Sequence, residues 1–173
     1  MKSFTFLASA FLLFFTSLLI LGVVSGSEYD VVASTTIEAP QVVVLKELID
    51  FNNYYKWCPN ILKSEYNPET QFRESLYVMD KRPVSIHEKV QVILSENIIL
   101  FTEHNNKARG YIQNITNAIH LKENSDGTTE VSWEMSYTLK PMLSKILNIF
   151  AVKPALNRML VENLNGLKKN IER

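Results

Sequence analysis

The feature that most constrains this chain is a change of hydrophobic period near residue 140. Before it, Val131, Trp133, Met135, Tyr137 and Leu139 alternate with Glu130, Ser132, Glu134, Ser136 and Thr138. A side-chain period of two puts the first set on one face of a strand and the second on the other, so one face is buried and one is wet. After Lys140-Pro141 the apolar residues recur at helical spacing: Leu143, Ile146, Leu147 and Phe150, then Leu156, Met159, Leu160, Leu164, Leu167 and Ile171. A helix with one apolar stripe has to bury it, and the surface on offer is the sheet that precedes it. Pro154 should kink or break the helix near residues 152–153. Gly166 lets it approach the sheet closely, and Lys168, Lys169 and Arg173 suit the negative end of its dipole.

The residues upstream supply that sheet. Residues 29–37 are rich in Val and Thr and read as a first strand, stopped at Glu38-Ala39-Pro40. Pro40 suits the first turn of a helix over 41–49, with Val43 or Val44, Leu45, Leu48 and Ile49 able to face inward. Residues 50–59 read as one short aromatic-rich helix ended by Pro59. Strands are expected at 62–66, 72–79, 84–94, 98–104 and 109–122, with turns at 80–83, 95–97 and 105–107. Asp126-Gly127 is the clearest hairpin signal, because both residues tolerate a positive φ. The expected architecture is an α+β helix-grip fold: a curved antiparallel sheet of about seven strands wrapped around a long C-terminal helix, with two short helices after the first strand.

Residues 4–24 form an uncharged apolar run. About 20 such residues span a bilayer, whereas a signal peptide's apolar stretch is usually ~7–15. The length favours a retained membrane anchor, while Val24-Ser25-Gly26 offers small residues for cleavage, which would leave a secreted or periplasmic domain. Lys2 precedes the run and the next basic residue is Lys46, so the domain is expected on the extracytoplasmic side. The division is an anchor or signal segment over 1–26 and one domain over 27–173. Asn114-Ile115-Thr116 is a glycosylation sequon, relevant only to a lumenal domain in a eukaryote.

Several function classes find no support. Lys plus Arg and Asp plus Glu both number 18, so there is no excess positive charge for nucleic acid. With only five glycines and no phosphate-loop or nucleophile-elbow motif, a nucleotide site and a serine hydrolase are not indicated. His87, His104 and His120 sit on different strands without pairing, so no metal and no other cofactor is expected. Cys58 is alone and reads as a small buried apolar residue.

Two stretches carry a family likeness. Thr36-Ile37-Glu38-Ala39-Pro40-Gln41-Val42-Val43, followed by Ile49-Asp50-Phe51-Asn52-Asn53-Tyr54-Tyr55-Lys56-Trp57-Cys58-Pro59, resembles the opening of the START-like (SRPBCC) superfamily. The nearest branch is the polyketide cyclase/dehydrase and lipid-transport group, and the likeness runs from about Tyr29 to Arg173. It implies a Bet v 1-like helix-grip fold with a deep apolar cavity. It also implies ligands such as lipids, sterols, polyketides or quinones, and a structural Trp57. That superfamily shares no catalytic residue, so no catalytic assignment carries over.

The large residues expected on the inner face are the cavity candidates: Phe72, Leu76, Val90, Val92, Phe101, Tyr111, Ile115, Trp133, Met135 and Tyr137. Gln113 and Asn117 share the parity of Tyr111 and would offer polar contacts to a ligand. The expected function is a membrane-tethered, non-catalytic binder or carrier of a hydrophobic small molecule. An enzyme of cyclase or dehydratase type is the first alternative and would need an acid–base group in the cavity, such as Tyr111, Tyr137 or Glu88. An interaction module with a filled core is the second.

Overall fold

The computed structural model describes residues 16–17, 28–79, 82–104, 112–139 and 147–173. The apolar run over 4–24, Tyr111, Leu143, Ile146 and the turn at 105–107 therefore lie outside the described residues, apart from Thr16 and Ser17. Among the described residues no helix is long and apolar enough to cross a membrane.

Strand β1 (Glu28–Ile37) leads into helix α1 (Gln41–Ile49) and a 3-10 helix (Phe51–Lys56). Then come β2 (Ile61–Asn67), β3 (Phe72–Met79), β4 (Arg82–Ile93), β5 (Ile98–Glu103), β6 (Ile112–Glu123) and β7 (Thr129–Leu139). A π-helical turn (Asn148–Val152) precedes the long helix α2 (Lys153–Ile171). The strands form one seven-stranded sheet in the order β1-β7-β6-β5-β4-β3-β2, each pair antiparallel. Every neighbour pair but one is a sequential hairpin. The exception is β1, which pairs β7 from Glu28↔Thr138 to Ile37↔Thr129, so the first strand closes against the last. This is the helix-grip architecture.

β7 alternates buried and half-buried residues along its whole length, as its period requires. Pro40 stands just before α1, which buries Val44 and Leu48 while Val43 and Ile49 stay exposed. The aromatic stretch after α1 turns inward: Phe51, Tyr54 and Trp57 are buried with Cys58. The Tyr54 hydroxyl donates to the Leu48 carbonyl at 2.6 Å, which ties the 3-10 helix to the end of α1. α2 buries Leu156, Leu160, Leu164 and Leu167. Gly166 is what allows the last turns of α2 to pack down. A Cβ there would stand 1.9 Å from the Trp57 carbonyl oxygen.

Two local irregularities depart from the simple periods. The expected helical stripe includes Leu147 and Phe150, yet these are 57% and 72% exposed, while Asn148 is buried. The cause is the π turn, which has an extra residue and so rotates the register. The N–H of Lys153 bonds back to the carbonyl of Asn148. Pro154 has no N–H to offer Phe150, which is why the distortion sits here and α2 starts at Lys153. The second irregularity is a bulge in β6. Gln113 pairs Thr138 and Thr116 pairs Ser136, so Asn114 and Ile115 together oppose Tyr137. Asn114 takes φ 52° to make it.

Candidate functional site

The inner face of the sheet and α2 enclose a small void. It is lined by Tyr77, Ile86, Glu88, Glu103, Ile115, Asn117, Trp133, Met135, Met159 and Asn163. The space open to the centre of a water molecule is about 20 Å³. That is room for about one water. Apolar side chains from β4, β6, β7 and α2 form one part of the wall, and a polar group from β3, β4, β5, β6 and α2 forms the other.

The polar group is organised by a buried ion pair. Arg73 and Glu88 are 1% and 3% exposed. They are direct cross-strand partners in the β3–β4 hairpin. The Arg73 guanidinium donates from Nη2 to Glu88 Oε2 at 2.6 Å and from Nε to the same oxygen at 3.1 Å. Nη2 also reaches the Tyr77 hydroxyl at 3.4 Å. Its Cζ lies 4.5 Å from the Tyr54 ring centroid and 4.4 Å from that of Phe101. The cation is thus stacked on two aromatic rings as well as paired. Burial works against the Arg73 charge, but the Glu88 carboxylate, with Tyr77 and Tyr54, holds its pKa above the ordinary value. Burial likewise pushes the Tyr54 phenol well up, with Arg73 pulling the other way.

Further hydrogen bonds fix the rest of the polar group. Trp133 Nε1 donates to Asn117 Oδ1 at 3.2 Å across β6 and β7. Asn60 Nδ2 donates to Asn163 Oδ1 at 3.2 Å, which joins the start of β2 to α2. Nearer the π turn, the Tyr137 hydroxyl donates to Asn148 Oδ1 at 2.7 Å. That buried Asn148 is the anchor of the turn. Burial raises the Tyr137 pKa, and the bond to Asn148 lowers it in part.

Ile115, Asn117, Trp133 and Met135 are the candidates that line the void. Val90, Phe101 and Tyr137 are buried on the inner side but lie outside its lining. Four others are corrected. Phe72 and Leu76 belong to the outer face of β3, because the inward set is Arg73, Ser75 and Tyr77. Leu76 sits there beside Lys63, Glu65, Glu74 and Ser85, and Phe72 meets the exposed His104 edge-on at 5.0 Å. Gln113 pairs the outward Thr138, since the bulge at Asn114 breaks the parity it would have shared with Asn117. Val92 is 39% exposed, one residue short of the end of β4, although Ile99 opposite it is fully buried.

Sequence reasoning missed Arg73, Tyr77, Ile86, Glu103 and Asn163, and treated Glu88 only as a possible acid–base group. A usable signal was present in the hairpin register. Met79 pairs Arg82, and counting back along both strands sets Arg73 opposite Glu88. An arginine opposite a glutamate within one hairpin can be buried as a pair.

Next to the void is an open groove of about 430 Å³, lined by Asn60, Val78, Ile112, Ala151, Val152, Ala155, Leu156, Arg158, Met159 and Glu162. Met159 belongs to both linings and so stands between them. Among the described residues no group of three His, Cys, Asp or Glu is placed to hold a metal ion.

Comparison with known proteins places this geometry. The Zhui aromatase/cyclase from a Streptomyces species superposes with a TM-score of 0.73 at 14% identity, covering 84% of this chain and 94% of that one. A START superfamily protein from Mycobacterium smegmatis gives 0.67 at 13% identity, covering 83% and 97%. Major latex-like protein 151 from Panax ginseng gives 0.62 at 13% identity, covering 84% and 98%. At such identities the likeness is one of fold. Among curated proteins no sequence matches the chain. Residues 29–172 match the family model described as polyketide cyclase/dehydrase and lipid transport, and on that match this chain belongs to that family.

Proposed function

We propose that this domain binds and carries a hydrophobic small molecule between α2 and the sheet, and that residues 4–24 hold it at a membrane on the extracytoplasmic side. The observation that carries the reading is that void and groove share Met159 in their walls. A pocket for a lipid-like ligand needs ~300–1,000 Å³, so the void alone is too small. The groove is of that order, and Met159, a flexible, unbranched side chain, lines it as well as the void walled by Ile86, Ile115, Trp133 and Met135. The far end of α2 is clamped at Gly166 against Trp57, while its first turns follow a π distortion. A ligand would enter by displacing Met159 and those first turns. The polar group around Glu88, Asn117 and Asn163 would meet its polar end.

The family description includes lipid transport, which supports this reading, and also cyclases and dehydrases. A cyclase-type enzyme is the alternative. The carboxylate it would draw on, Glu88, is held by Arg73. Trp133 lines the void and provides the test. A Trp57→Phe chain in detergent, titrated with a fatty acid bearing a fluorescent acceptor, should show saturable energy transfer from Trp133 at one ligand per chain. Transfer that rises linearly without saturation would overturn the proposal. Alkaline carbonate extraction of cell membranes tests the tether: the chain should stay in the pellet, and its release would mean the apolar run is not an anchor.

A further inference from the structure

The π turn that rotates the helical stripe leaves three large apolar side chains in the open: Leu147, Ile149 and Phe150, at 57%, 50% and 72% exposure. Ile149 lines one surface hollow with Asp30, Val31, Val32, Lys153 and Pro154, so the patch reaches the first residues of β1 at Ile149, and Val32 is itself 54% exposed. We propose that this patch is a lipid-docking face, seated in the membrane interface beside the root of the tether. The inference rests on the reading of residues 4–24 as a retained anchor.

A lipid surface is the occupant within reach of the patch. The apolar run ends at Val24 and β1 begins at Glu28, four steps along the chain. A fully extended chain covers ~3.3–3.6 Å per residue, so Glu28 stands within about 14 Å of the end of the membrane-spanning run. Ile149 lines the same surface hollow as Asp30, Val31 and Val32, two to four residues further along β1. Whatever plane holds the tether therefore lies close to the patch. Exposed Phe, Ile and Leu side by side are costly in water and favourable at the acyl boundary. Charge is balanced around them, with Lys153 and Arg158 against Asp30 and Glu162, so apolar contact drives the docking. The same π turn contributes Ala151 and Val152 to the groove beside Met159. Docking here would open the groove toward the lipid, where an apolar cargo is dissolved.

The test uses the full chain in phosphatidylcholine vesicles, with brominated acyl chains as a contact quencher of tryptophan. Trp57 and Trp133 are 3% and 4% exposed and give a shielded background. Phe150→Trp places a reporter in the patch. Leu94→Trp, at a position 65% exposed, is the control at the other end of the sheet. There Ile93 pairs Ile98, Ile98 pairs His120, His120 pairs Ser132 and Ser132 pairs Ser34, well up β1 from Glu28. The expected result is loss of most of the added emission at residue 150, with a blue shift, and no loss at residue 94. If the chain floats with the vesicles and residue 150 is not quenched, the patch faces water or another protein and the docking proposal is overturned while the tether stands. Failure to float with vesicles would overturn the tether, and the inference with it. Phe150→Asp gives a second arm, expected to abolish the blue shift of a Trp placed at Ile149 without loss of flotation.

Discussion

Replacing Glu88 by glutamine should be among the most damaging conservative changes in the molecule. Glutamine keeps the volume and one acceptor oxygen, so packing is preserved. What changes is that the Arg73 guanidinium, 1% exposed, loses its counter-charge, and its Nη1 already has no hydrogen-bond partner. Breaking a buried pair by removing one partner costs about 3–5 kcal/mol, because an uncompensated charge remains. The stacks on Tyr54 and Phe101 survive in both forms and do not offset the loss. Arg73→Met is expected to cost a similar amount, because it leaves the Glu88 carboxylate buried without its cation. Removing both charges in the double variant should cost less than either single change. The assay is urea unfolding of the detergent-solubilised chain at neutral pH, followed by the fluorescence of the buried Trp57 and Trp133. A Glu88→Gln loss under ~1 kcal/mol, or strictly additive singles, would refute the reasoning.

Other consequences are as direct. Gly166→Ala should destabilise by about 1–3 kcal/mol in thermal unfolding, although alanine is the better helix former, because its Cβ would meet a backbone oxygen that cannot move aside. A rise in melting temperature would show that α2 is not clamped on Trp57. Cys58 is fully buried, and burial pushes its thiol up to about 12. It should resist iodoacetamide at pH 8 in the folded chain and react fully in urea, and equal rates in both states would contradict its placement.

The fold was legible where one rule acts over a whole element. β7 keeps strict alternation from Thr129 to Leu139, and the apolar positions of α2 from Leu156 to Leu167 keep helical spacing, so sheet and covering helix could be read directly. The site was less legible because each of its edges lies at a break in such a rule. On β3 the large apolar residues Phe72 and Leu76 point outward. Arg73, Ser75 and Tyr77 turn in because Glu88 neutralises the cation and Ser64 bonds Ser75 at 3.2 Å. On β6 a single residue at φ 52° shifts the parity, so Gln113 and Asn117 part company. At the start of the long helix, one π turn exchanges Leu147 and Phe150 for Asn148. A hydrophobic period carries no sign of a bulge, a π turn or a charge pair, whereas the hairpin register did carry the last of these.

The central claim is that a hydrophobic molecule occupies the space between α2 and the sheet, reached past Met159. Native mass spectrometry of the full chain, released from detergent micelles after purification from membranes, tests it most directly. The account predicts an adduct of lipid-like mass at one per chain, lost in a Met159→Trp variant that fills the junction between void and groove and still unfolds cooperatively. A chain that carries no adduct and takes none up from a membrane lipid extract, or an adduct unchanged in Met159→Trp, would contradict it.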